Sequence, residues 1–156
     1  MNGWQTVLAA FIACFGFSVV YNVPKKSLLF SSLGGALGWA ICLYLPLESE
    51  IARCFLATLV IGVYAEIFAR ILRQPATLFI LPSVLPMVPG GGIYYTFQYA
   101  LAGDAALFTQ TASRTFATAG VMAIALLLVS SATRLYKAVV TQRKKGEWKK
   151  CLNPRK

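Results

Sequence analysis

The chain has 156 residues, 58% of them hydrophobic, and a mean hydropathy of +0.65. A soluble domain of that size has too little interior to hide so much apolar surface, so the composition specifies an integral membrane protein. The formal net charge is +10, yet the positive residues gather in short loops and after Leu135 rather than along one face. That pattern speaks against nucleic acid as a partner and matches the cytoplasmic side of a membrane protein.

The first apolar run covers residues 4–20. Phe11-Ile12-Ala13-Cys14 has a faint likeness to a lipoprotein cleavage box, but no Lys or Arg precedes the run and it continues past the cysteine, so a retained helix is expected. Ala9, Ala13 and Gly16 make a small-residue stripe suited to close helix packing. Pro24 and the lysines Lys25 and Lys26 end this run. A second span is expected over residues 28–45, with Ser31, Gly34, Gly35 and Gly38 as its packing face. A third covers residues 51–72, with Thr58, Gly62, Ala65 and Ala69 on one stripe. Glu66 lies about one turn inside its end, where it can snorkel or pair with Arg70 on the same face.

The fourth span, residues 77–99, is interrupted by Pro82, Pro86 and Pro89 and then by Gly90, Gly91 and Gly92. Pro lacks a backbone donor and clashes with the preceding turn. Within hydrocarbon, irregular backbone survives only against protein or a water-filled cavity, so the break predicts a cavity and, beside it, a substrate site. The alternative is a kinked span whose freed groups are satisfied by neighbouring helices. A fifth span is expected over residues 112–135, beginning on a polar stripe of Thr111, Thr115 and Thr118 with Arg114 beside it. Residues 136–156 read as a basic cytoplasmic tail whose Lys and Arg meet anionic membrane lipid.

Five spans with the N-terminus outside place Lys25, Lys26, Arg70, Arg73 and the tail in the cytoplasm. Only Arg53 and Arg114 stay outside, near Glu48, Glu50 and Asp104; the opposite orientation inverts the asymmetry. The fold class is therefore an all-α membrane protein of five helices, N-out and C-in.

Histidine is absent, which removes the commonest metal ligand and general base. Cys14, Cys42, Cys54 and Cys151 show no metal-ligand spacing and read as small apolar residues, so neither a metal nor a cofactor is expected. Without paired acids, or a Ser or Cys beside a base, a membrane enzyme is disfavoured.

Tyr21-Asn22-Val23-Pro24 and the stretch through Arg73, Pro75, Phe79, Pro86, Pro89, Gly90 and Gly91 resemble the threonine/serine exporter (ThrE) family. At this length the chain is similar to the small subunit of its two-component members. The resemblance implies a multi-pass protein of the bacterial inner membrane that exports threonine and serine, or a dicarboxylate such as succinate, by proton-coupled secondary transport. It also implies a larger ThrE-family membrane subunit as partner; self-association of the chain is left open.

The candidate site comes from the residues themselves. An unwound segment opening a half-helix offers N–H groups at a positive dipole end, worth about 0.3–2 kcal/mol to an anion. Gly90, Gly91 and Gly92 are thus the expected carboxylate-binding element, with Pro86 and Pro89 setting the break and Arg70, Arg114, Thr115 and Thr118 completing the site. Glu66, the acid placed within a span, is the candidate for proton coupling. The rival reading is a noncatalytic scaffold subunit that stabilises a transporting partner, which the small-residue stripes also fit.

Overall fold

The computed structural model describes residues 3–152, and side chains through residue 139 except that of residue 137. Helices α1 (Gly3–Val20), α2 (Lys25–Tyr44) and α3 (Glu50–Ile71) are followed by the short α4 (Thr77–Val84) and a 3₁₀ turn over Leu85–Met87. Helices α5 (Gly90–Ala102) and α6 (Ala105–Leu152) complete the order, with no strand among the described residues. Among the described residues, four helices are long and apolar enough to cross a membrane. The pair Thr77–Met87 and Gly90–Ala102, bent by 49°, makes a fifth span if its two halves are counted as one.

Three helix ends share one device. Asn22 (φ 53°), Arg73 (φ 53°) and Gly103 (φ 74°) adopt left-handed backbone just past α1, α3 and α5. In each case the next residue's N–H reaches back five positions: Val23 to Ser18 O, Gln74 to Ala69 O and Asp104 to Tyr99 O. Carbonyls that would otherwise lack partners are satisfied in this way. Pro24 then caps α2, where a missing N–H costs nothing. The Asn22 and Arg73 positions of the two sequence motifs are thus turn positions.

Helix α2 is the hub. It packs on α1, α3 and α4, while α6 packs on α3 and α5. Its glycines permit this. A Cβ at Gly35 would collide with Cys14 Sγ and come within 3.4 Å of Ser83 Cα, and one at Gly34 would lie 2.6 Å from Ser83 Oγ. Hydroxyls tie the same seam: Ser83 Oγ donates to Ser31 O (2.8 Å), Ser31 Oγ to Leu78 O (3.2 Å) and Tyr64 OH to Phe30 O (2.8 Å). In an apolar surround, unpaired polar groups would each be costly, so the two serine bonds fix where α4 sits and the tyrosine bond ties α3 to α2. The stripes on α2 and α3 are buried as the sequence predicts, and Gly62 of α3 seats Val129 of α6.

Two expectations change. On α1 the buried face is Ala10, Cys14 and Ser18, whereas Ala9, Ala13 and Gly16 are exposed and Gly16 has open space around it. Both stripes consist of small residues at near-helical spacing; Ser18, whose Oγ donates to Cys14 O (2.7 Å) and lies 3.3 Å from Ser31 Oγ, brings the polar face inward. The helix that holds the span expected over residues 112–135 is longer than that span. It begins at Ala105, where Asp104 Oδ1 accepts from Leu107 N, and continues to Leu152 as an extension of the span. No proline interrupts residues 105–152. At about 1.5 Å per residue such a helix is roughly twice the length of a bilayer's hydrocarbon core.

Candidate functional site

The fourth span breaks at Pro86 and Pro89. Pro82, expected to interrupt it, lies inside α4, and Gly90, Gly91 and Gly92 form the first turn of α5 instead of an unwound segment. Pro86 and Pro89 lack N–H groups, so the helix tightens to 3₁₀ at Leu85–Met87, Val88 turns extended (φ −57°, ψ 129°) and Pro89 starts α5 anew. The two halves go to different neighbours. Helix α4 lies against α1, α2 and α3 and the 3₁₀ turn against α1 and α2, whereas α5 packs on α6. The break thus bridges two groups of helices, and a cavity of about 570 Å³ opens beside it.

Pro86, Pro89 and Gly90 to Gly92 line this cavity on one side, with Thr111, Arg114, Thr115 and Thr118 of α6 on another. Trp39 and Cys42 of α2 and Glu50 and Cys54 of α3 close the rest. Eight of the nine residues expected to bind substrate therefore share one cavity; Arg70 does not.

Gly90 donates its N–H to Val88 O (2.7 Å), and Ile93 donates to Pro89 O (3.1 Å). Between them the N–H groups of Gly91 and Gly92 meet no acceptor among the described residues and stand at the first turn of α5. The glycines differ in what they tolerate. A Cβ at Gly90 or Gly91 would meet no atom within 4 Å, whereas one at Gly92 would strike Thr115 Oγ1. Gly92 is the close contact between α5 and α6, and Gly91 is an open wall of the cavity.

The threonines are oriented. Thr115 Oγ1 donates to Thr111 O (2.7 Å) and Thr118 Oγ1 to Arg114 O (2.9 Å), so each hydroxyl proton is engaged and only lone pairs remain for a ligand. They suit a ligand's donor groups rather than its carboxylate. The charges at the site are Arg114, which donates to and forms an ion pair with Glu50, at 68% and 49% side-chain exposure, so this end of the cavity is open. Trp39 adds an indole N–H that is buried without an acceptor among the described residues.

Glu66 lies elsewhere. With Arg70 it lines a separate cavity of about 410 Å³ between α3 and α6, walled by Leu59, Val63, Leu128 and Val129. Among the described residues no ion pair joins Glu66 to Arg70; the Arg70 guanidinium stands over the Tyr136 ring, 5.3 Å from its centroid.

Sequence reasoning missed Glu50, Trp39, Cys42 and Cys54. Cys42 and Cys54 place their sulfurs 3.9 Å apart across α2 and α3 as free thiols. No local signal marks them. Only the loop charges near Glu50 and Arg114 hinted at the ion pair.

Compared with known proteins, the chain matches over residues 6–132 the family described as Threonine/Serine exporter, ThrE. No solved structure matches it.

Proposed function

We propose, from the premise that the chain belongs to the threonine/serine exporter (ThrE) family, that it moves small carboxylate-bearing metabolites outward through the cavity beside Gly91 and Gly92. Family membership makes the chain a multi-pass membrane transporter of threonine- or serine-type substrates. The observation that carries the finer reading is the convergence of two unpaired N–H groups at a helix start with the Arg114 guanidinium on one open cavity. A carboxylate leaving water needs donors that replace its hydration without a buried excess of charge, and backbone amides at a helix N-terminus meet that need. A succinate-type dicarboxylate and an amino acid both present such a group.

In the N-out, C-in orientation set by the basic loops, the end bearing Glu50 and Arg114 faces outward in a bacterial inner membrane. Proton coupling rests with Glu66, which sits between α3 and α6, the helices whose relative movement would alter its access to water. The working unit pairs this chain with a larger membrane subunit of the same family, and two inverted halves would bring the cavity to their shared interface.

Reconstitution tests these parts together. Liposomes holding both subunits should export, those holding this chain alone should not, and Arg114→Ala in the pair should lower export about tenfold or more through loss of a charge-assisted bond. Glu66→Gln should keep substrate exchange but lose accumulation driven by a pH gradient. Wild-type export by the Arg114→Ala pair would remove the cavity from the substrate path, and a partner fully active without this chain would favour the scaffold reading.

A further inference from the structure

The Glu50–Arg114 ion pair occupies the open end of the cavity, and it crosses from α3 to α6. Both side chains are substantially exposed, so neither is locked in place by packing. An arriving carboxylate competes with Glu50 for the same guanidinium. Where it wins, Glu50 is left without its cation in a site that has just gained a negative charge.

The fate of Glu50 then depends on what else the substrate carries. A dicarboxylate brings a second negative charge toward an unpaired carboxylate. A zwitterion brings an ammonium group, and one ion pair becomes two: substrate carboxylate with Arg114, substrate ammonium with Glu50. The remaining lining agrees with the second case. Thr115 and Thr118 have their protons engaged by Thr111 O and Arg114 O, so their oxygens can only accept, and an ammonium or hydroxyl group supplies the donors they lack. Donors for the carboxylate are Arg114, on the threonines' own helix, and the Gly91 and Gly92 amides on the other wall.

We propose that Glu50 is the specificity-determining residue of this cavity: it holds Arg114 while the cavity is empty and exchanges that partner for the substrate's ammonium group, selecting zwitterionic amino acids over dicarboxylates. The assignment rests on the reading of the cavity as the substrate site. It makes the ion pair a latch between α3 and α6 that substrate itself opens. Glu50 contributes to binding by exchange of partners, so its removal alters selectivity more than it alters the fold.

The test is a cycle of chemical and protein variants. Threonine uptake into liposomes holding the subunit pair is measured in the presence of threonine, of 3-hydroxybutyrate, which lacks the ammonium group, and of succinate. In the wild type, threonine should compete at least about tenfold better than either anion, the scale of one charge-assisted contact. Glu50→Gln should shrink that ratio toward one, because threonine loses its partner while the anions lose a repulsion. Glu50→Asp, which keeps the charge, should retain preference for threonine even if overall affinity falls. A threonine-to-hydroxybutyrate ratio unchanged in Glu50→Gln would overturn the assignment, as would a wild type that prefers succinate. The two readings fail separately: if Arg114→Ala transports normally the cavity is not the site, whereas a dead Arg114→Ala with an unshifted Glu50→Gln ratio removes Glu50 alone.

Discussion

Gly91→Val is expected to abolish most export while the protein inserts and assembles in normal amount. A Cβ at this position meets nothing within 4 Å, and its φ lies outside the left-handed region, so the fold has room and backbone for the side chain. Valine is also no worse than glycine inside a helix and carries no insertion penalty. What changes is the cavity: two methyl groups project from the wall where the Gly91 and Gly92 amides lie unpaired. Denying a carboxylate those donors costs about 1.5–3 kcal/mol, or roughly ten- to a hundredfold in binding. Gly91→Ala should be far milder. Export rate per assembled complex, measured beside substrate affinity, checks this; normal values for both in Gly91→Val would reduce the break to a structural kink.

Gly38→Val should have the opposite signature, with little folded protein recovered and near-normal activity in whatever remains. A Cβ at Gly38 would collide with the end of Ile61, lie 2.7 Å from its Cγ1 and stand 3.3 Å from Met87 Sδ. Ile61 is fully buried, so it has no free space to swing into. Overpacking of a well-filled core costs about 1–3 kcal/mol, and here it pushes α2 from α3 and from the 3₁₀ turn that shapes the cavity floor. Yield of detergent-stable protein and its melting temperature read this directly. Full recovery of a stable Gly38→Val protein would mean that α2 and α3 do not rely on that close approach.

Much of the frame was legible because membrane burial leaves strong marks. Long apolar runs, Pro24 at a turn, and the proline-glycine cluster set the first three helices and the break within a few residues. The glycines of α2 and the small residues of α3 declared their faces because a span has few other reasons to align them. On α1, two small-residue stripes compete, and only the Ser18–Ser31 contact across the bundle decides between them. The length of α6 was hidden by composition: a basic segment reads as a tail, yet without proline nothing stops the helix. For the site, the glycines, the prolines, Arg114 and the threonines were nameable from local chemistry. Glu50 was not, since its partner lies 64 positions away. The polarity of the threonines was equally hidden, since it depends on which carbonyl each hydroxyl chooses.

The claim that substrate occupies the cavity beside the break is tested most directly by one of the two thiols that line it, Cys42. Variants retaining only Cys42 or only Cys151 are treated from outside sealed cells with a membrane-impermeant maleimide. Cys42 should react, and substrate at about ten times its Kd should slow that reaction about tenfold by simple occupancy, while Cys151 stays unlabelled. Unchanged alkylation of Cys42 under conditions where export is saturated would contradict the account, and external labelling of Cys151 would contradict its orientation.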